Sequence, residues 1–364
     1  MPSMRQGTQL FITLALSTAG IACGDDEAGP ADAPAGSPDA VDQCALGCDG
    51  RLPDADTVDA NPMPMTLAET GLCLDAGCTS YSPDAVEFTP QFALWTDGAV
   101  KRRWIHIPAG AQIDTTDWDS WKFPVGTKVW KDFVRDGIRA ETRYYSKIGP
   151  GDDEWYFVGF VWNAAQNEAV AAPAGMQDVN GTQHDVPSRS QCRQCHDQMP
   201  GRVLGFSALQ LDTTAMGGQV DLSGAITRGW LSLVPATLPT TTPRMPLPGS
   251  STEQAALGYL HANCGHCHNP RSSVHGAVPL ELRLETGAMA TTAMTAAYVT
   301  AVDVAAAIPV MGRTVIVDGG SPSTSTLHFR FTMAGPAQRM PKIGTEIVDP
   351  AGTQILTDWI NALP

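Results

Sequence analysis

Two runs of Cys-x-x-Cys-His stand in this chain: Cys192-Arg-Gln-Cys195-His196 and Cys264-Gly-His-Cys267-His268. Thiols at this spacing lie about one helical turn apart, so both can form thioethers with the two vinyl groups of one porphyrin. The His that follows then falls beneath the iron as an axial ligand. That order of residues is the attachment signal of a c-type haem. Cys192, Cys195, Cys264 and Cys267 are therefore expected to hold two covalent haems, with His196 and His268 ligating iron. The competing chemistry is a zinc site or a set of disulfides. Two Cys-x-x-Cys pairs can build a zinc ribbon, but 68 residues separate Cys195 from Cys264. Zinc also gives no reason for a His directly after each pair.

The second axial position calls for another side chain, and the sequence offers several. Arg339-Met340-Pro341-Lys342-Ile343-Gly344 lies far downstream of His268. A Met sulfur there would be the second ligand of the second haem and would raise its potential. Arg244-Met245-Pro246-Leu247-Pro248-Gly249 repeats the form downstream of His196 and nominates Met245 for the first haem. Met199, Met216, His184 and His261 are its rivals; either His would give a bis-His haem of lower potential. His266, between the cysteines of the second motif, is expected to point to solvent. Met289, Met294 and Met311 are further ligand candidates, read first as core residues.

These ligands need helices to position them. A helix is predicted over Ser251–Ala262, with Glu253 in its first turn, leading into Cys264. An amphipathic helix is predicted over about Pro350–Leu363, with Ile355, Leu356, Trp359 and Ile360 on one stripe. A helix, the attachment motif, a variable middle, a Met-Pro loop and a closing helix are the parts of a small cytochrome c. The middle holds Leu280–Leu284 and Thr314–Val317, which alternate as strands do, and an Ala-rich stretch over 288–307. It is read as an insertion that covers the haem or meets a partner.

Upstream, the texture is that of strands. Phe92–Trp95, Arg103–Ile107, Lys128–Val134, Glu141–Tyr145 and Trp155–Trp162 are aromatic or β-branched runs, bounded by turns at Pro108-Ala-Gly, Pro124-Val-Gly and Gly149-Pro-Gly. Lone His106 is read as structural, and Asp97, Asp117 and Asp119 as turn residues bonded to their own backbone. Lys101-Arg102-Arg103 is read first as a solvated strand end, with contact to a haem propionate or redox partner as the alternative. The expected class is α+β. An antiparallel β-rich module over 63–188 precedes mainly α-helical haem units over 189–250 and 251–364.

The start of the chain bears on compartment, because c-type haem is attached outside the cytoplasm. Arg5, an apolar run from Leu10 to Ile21 and then Ala22-Cys23 read as a signal peptide over 1–22, too short to span a membrane. Gly24-Asp25-Asp26 after Cys23 resembles a bacterial lipoprotein processing site, which would make Cys23 a lipid-bearing membrane anchor. Ordinary cleavage with a free or paired Cys23 is the alternative. Residues 23–62 read as a tether. Ten acids there face one base, Arg51, so most of the formal charge of −15 belongs to this stretch. Nothing points to nucleic acid. Cys44, Cys48, Cys73 and Cys78 remain for disulfides; close spacing favours Cys44–Cys48 and Cys73–Cys78 among three possible pairings.

Five stretches carry a family resemblance: Leu94-Trp95-Thr96-Asp97-Gly98-Ala99, Phe123-Pro124-Val125-Gly126-Thr127, Pro187-Ser188-Arg189-Ser190-Gln191-Cys192, Tyr259-Leu260-His261-Ala262-Asn263-Cys264 and Met340-Pro341. Through them the chain resembles exported bacterial dihaem c-type cytochromes with an N-terminal β-rich module, many of them lipoproteins. The resemblance runs through most of residues 90–364 and implies haem binding, an electron-carrier role and a redox partner protein. It implies no substrate, and Met245 is not a fixed feature of that family. The alternative in function is a haem enzyme, such as a dihaem peroxidase with one open iron, to which His184-Asp185 would contribute acid–base groups. A third possibility makes the haems the electron acceptor for chemistry in the β-module or in a separate dehydrogenase. The expected location is the periplasm or outer cell envelope.

Overall fold

In the computed structural model, residues 63–332 and 338–364 are described. The expected signal peptide, Cys23, the tether and the Cys44–Cys48 pairing lie outside the described residues. Six strands form one antiparallel sheet in sequence order: β1 Val86–Glu87, β2 Val100–His106, β3 Lys128–Arg135, β4 Ile138–Lys147, β5 Trp155–Trp162 and β6 Ala169–Ala171. The aromatic alternation predicts β2 to β5. Asp136 and Gly137 turn β3 into β4, both at positive φ (51° and 81°), as a tight two-residue hairpin requires.

The period of two divides the sheet into two buried faces. Trp104, Trp130, Tyr144 and Val158 pair across β2–β5 and pack beneath Leu67 and Leu72, with the Cys73–Cys78 disulfide in the same layer. The expected Cys73–Cys78 pairing is thus present, with the two Cα atoms 4.8 Å apart. On the opposite face Ile105, Val129, Tyr145 and Phe157 pair in register and join the larger core.

That larger core is shared with the helices. These are α1 Arg189–His196, α2 Ala208–Leu211, α3 Leu222–Thr227, α4 Ser251–Asn263, α5 Ala296–Ala301, α6 Thr326–Thr332 and α7 Pro350–Ala362. A hairpin of β7 (Ala305–Val310) and β8 (Arg313–Val315) lies between α5 and α6. The described chain is therefore α+β. Residues from all three stretches distinguished in the sequence contribute to one apolar core, so the sheet and the helices bury each other.

Helices α4 and α7 match their predicted spans closely because their N-termini are strongly signalled. Ser250 and Glu253 form a reciprocal capping box at α4, and Asp349 caps α7 with Pro350 in its first turn. The two helices cross tightly. Tyr259 donates its hydroxyl to Asp349 Oδ2 at 2.9 Å, and a Cβ on Gly352 would collide with the Tyr259 ring. Gly352→Val is therefore expected to destabilise the protein by about 1–3 kcal/mol through overpacking. Chemical denaturation checks this; an unchanged midpoint would mean the crossing is looser than it looks.

Several sequence expectations are corrected. Phe92–Trp95 is not a strand: Trp95 donates its backbone N–H to Asn263 Oδ1 (2.7 Å) rather than to a ladder. Leu280–Leu284 is not a strand either. Its amides are spent on irregular partners, Glu281 on Thr300 Oγ1, Leu282 on His268 O and Leu284 on His261 Nδ1. Alternation reported its apolar spacing correctly but not the absence of a neighbouring strand. Of the three methionines read as core, only Met289 is buried; Met294 is exposed, and Met311 sits exposed in the β7–β8 turn.

Candidate haem-attachment site

The first motif is helical for a local reason. Ser188 caps α1 and accepts from the Gln191 amide, while Gln191 Oε1 accepts from the Ser188 amide (2.8 Å). Cys192 and Cys195 then fall one turn apart on the same side of the helix. His196 ends it, its ring packed on Tyr145 of β4 (5.0 Å) and Phe157 of β5 (4.9 Å). Its Nδ1 lies 2.6 Å from the carbonyl oxygen of Arg202. A carbonyl only accepts, so Nδ1 carries the proton and Nε2 keeps a free lone pair. Ligating imidazoles are oriented in this way. Burial pushes the imidazole down to about 3, which keeps it neutral and able to bind a metal.

The second motif leaves α4 at Cys264 and turns back on itself. The amides of Cys267 and His268 both bond to Cys264 O, at 3.1 and 2.9 Å. Gly265 is required here, because a Cβ would lie 2.8 Å from both Arg283 Cα and His261 O. Asn269 then ties the turn together. Its side-chain amide donates to Gly265 O and His266 O, and also to Gln198 O at 3.2 Å, just beyond the first motif.

The two motifs meet. Cys195 and Cys267, 72 positions apart in sequence, lie with His266 so that Sγ, Sγ and one imidazole nitrogen are all within 4.8 Å of one another. The thiols are hydrogen-bonded, which raises Cys195 and lowers Cys267. His266 is buried, correcting the expectation that it faces solvent, and its Nδ1 has no hydrogen-bond partner among the described residues. His268 Nδ1 is likewise buried and unpartnered. Burial and then His266 push His268 down to about 4. Cys192 and Cys264 stand outside this cluster. The four thiols therefore do not converge as a four-cysteine zinc site would require.

Beside the first motif opens a cavity of about 840 Å³, within the range of cofactor sites. Cys192, Cys195 and His196 line it from α1, and Lys131, Arg143 and Tyr145 line it from the sheet. The segment after β6 adds Met176 and His184, and residues 341–346 close another side. That last loop is held by Asp97, whose carboxylate accepts from the amides of Glu346 (3.0 Å) and Ile347 (2.8 Å). Trp95 Nε1 donates to Ile347 O at 3.1 Å. Asp97 is thus more than a turn residue: with Trp95 it joins the end of α4 to the Met340-Pro341 loop. Asp119 also reaches far, accepting from the amide and hydroxyl of Thr286.

Met340 stands half-buried in the loop that borders this cavity, its amide bonded to Arg330 O. Met245 is buried in the apolar core, its amide donating to Asp212 Oδ2 at 2.6 Å, and is not among the residues lining the cavity. Met176 does line it and is half exposed there; nothing in its sequence surroundings marks it. His261 accepts from the Leu284 amide at Nδ1 (3.0 Å), so its Nε2 carries the proton and has no free lone pair. His184 has Nε2 against Glu141 Oε2 (3.0 Å), both fully buried.

Glu141 is the carboxylate that the sequence did not connect to His184. Asp185, its neighbour in the chain, accepts from the Asp178 amide instead. Burial alone would raise the Glu141 carboxyl, but Arg143 at 2.9 Å and His184 together hold it below its ordinary value. The motif Lys101-Arg102-Arg103 splits by strand alternation. Arg102 turns outward to Glu87 at 2.7 Å, while Lys101 and Arg103 turn inward with Lys131 and Arg143. The reading as a solvated strand end holds for Arg102 alone.

Compared with protein-family models, with curated proteins and with solved structures, the chain matches none.

Proposed function

We propose that this chain is an exported, envelope-anchored dihaem c-type cytochrome that passes electrons between its two haems and a redox partner protein. The observation that carries the reading is the meeting of its two Cys-x-x-Cys-His motifs at Cys195 and Cys267, beside a cavity lined by buried cations. The residues present fit the group. Cys192 and Cys195 would hold one haem and Cys264 and Cys267 the other, with His196 and His268 as axial ligands. A haem held in this way supplies one-electron Fe(III)/Fe(II) chemistry. The chain supplies orientation through the Arg202 carbonyl on His196, exclusion of water by Tyr145 and Phe157, and proximity through Cys195 and Cys267. Anchoring by lipid on Cys23 and a place in the periplasm or outer envelope belong to the same proposal.

Met340 is proposed as the second ligand of the second haem on its sequence form, although its loop borders the cavity beside the first motif. For the first haem, Met176 competes with Met245, because Met176 borders the cavity beside His196 and Met245 does not. Met176→Ala is expected to abolish one of two Met–Fe(III) near-infrared bands, and Met245→Ala to leave both. Near-infrared spectra of the oxidised variants check this; loss of a band in Met245→Ala would return the role to Met245.

One observation favours a second reading, a haem enzyme with one open iron: His184 lines the first cavity, backed by the buried Glu141, and could move a proton there. Carbon monoxide or peroxide mixed with the reduced protein separates the two. An electron carrier with two six-coordinate irons shows no fast spectral change, and a rapid change favours the enzyme.

A further inference from the structure

We propose that the inward face of the sheet is a carboxylate-binding surface, formed by Arg103, Lys131 and Arg143, which receives the propionates of the haem attached at Cys192 and Cys195. The proposal rests on the functional reading above and deepens it.

Arg103 on β2 pairs with Lys131 on β3, and Lys131 pairs with Arg143 on β4. Three cations thus stand side by side in one cross-strand row, on strands about 4.8 Å apart. Like charges directly opposite one another across strands are destabilising. Here they are also buried: Arg103 is 7 % exposed and Lys131 8 %. The next row adds Lys101, whose Nζ is committed to the Leu94 carbonyl at 2.7 Å.

Carboxylates to balance them are few and engaged: Asp185 and Glu346, which also line the cavity, are hydrogen-bonded to each other. Glu141 faces the same way but already joins Arg143 and His184. Asp97 is spent on the amides of residues 346 and 347. Among the described residues neither Arg103 nor Lys131 meets a carboxylate within ion-pair distance, and Lys131 rests instead over the Phe133 ring at 4.9 Å. Buried charges without partners cost several kcal/mol, so a face built this way is short of anions.

Position identifies the anion. Lys131 and Arg143 line the same cavity as Cys192, Cys195 and His196, and Lys131 and Arg103 together line a smaller recess that adjoins it. His196 packs on Tyr145 and Phe157 in the neighbouring row of the same face. A porphyrin bonded at α1 brings two carboxylates on flexible arms to this face. Two guanidinium forks and an ammonium match them in charge and in hydrogen-bond geometry. A free dicarboxylate would satisfy the same cations, and the experiment separates the two sources.

The test uses the full chain matured with haem, in wild type, Arg103→Met/Lys131→Met, Arg103→Lys and Arg102→Met. Potentiometric titration should resolve two midpoints. In the double variant one midpoint falls by about 59 mV, a tenfold change in the one-electron equilibrium, because unneutralised propionates favour Fe(III). Loss of the first haem alone from that variant also supports the assignment. Arg103→Lys, which keeps the charge, and Arg102→Met, on the opposite face, leave both midpoints in place. Succinate added to the wild type produces no saturable change; a saturable one assigns the face to a soluble anion and overturns the proposal. A two-haem double variant with unmoved midpoints overturns this assignment alone. A wild-type protein without haem overturns the functional reading and this assignment with it.

Discussion

Replacing Cys264 and Cys267 with serine is expected to remove one haem and leave the other. Replacing Cys192 and Cys195 should do the converse, so that each double variant keeps about half of the wild-type haem absorbance. The expectation follows from how each motif is held. Cys192 and Cys195 lie in α1, which is fixed by its own capping box and by the packing of His196 on Tyr145 and Phe157. None of these contacts involves the second motif. The second turn is held by Asn269 and by the close approach of Gly265 to Arg283, and these contacts survive the loss of the first pair of thiols. Haem stain after denaturing electrophoresis, with absorbance of the reduced protein, measures the outcome. A variant of one motif that loses both haems would show that attachment is sequential, and that the two sites are not independent.

The second large effect is expected at Glu141. This carboxylate is fully buried between Arg143 and His184. Glu141→Gln keeps the shape but removes the carboxylate that, among the described residues, is ion-paired with the Arg143 guanidinium. Breaking a buried ion pair from one side typically costs about 3–5 kcal/mol, and the unfolding midpoint should fall accordingly. The pH dependence has a definite sign. Because the folded carboxyl is held below its ordinary value of 4.5, its contribution is fully present above that value. It is lost as pH falls through the folded pKa. Wild type and Glu141→Gln should therefore differ most at neutral pH and converge in acid. Equal stability at pH 7 would mean that Arg143 finds another partner.

Much of this arrangement is legible in the sequence, and the parts that are not share a cause. The sheet is readable because β2 to β5 alternate aromatic and β-branched residues. Helices α4 and α7 are readable because Glu253 and Pro350 mark their first turns. Both motifs are readable because their chemistry is contained within five residues. What local pattern cannot carry is which distant residues meet. Cys195 and Cys267 come together only because the chain between them folds back through α2, α3 and α4. Glu141 reaches His184 from 43 positions away, so Asp185, next in the chain, looked like the better partner. Lys101-Arg102-Arg103 reads as one basic cluster until strand alternation sends Arg102 to one face and its neighbours to the other. His266 reads as exposed because only Cys195, contributed by another motif, shows that this turn is covered. Leu280–Leu284 has the spacing of a strand, yet its amides are taken by His268, His261 and Thr300 before any ladder can form.

The most direct test is the mass and colour of the whole protein, purified from a host able to mature c-type cytochromes. The account predicts a red protein whose intact mass exceeds polypeptide plus lipid by two haems, both retained under denaturing conditions. A colourless protein, weighing only what its amino acids and lipid account for, would contradict it.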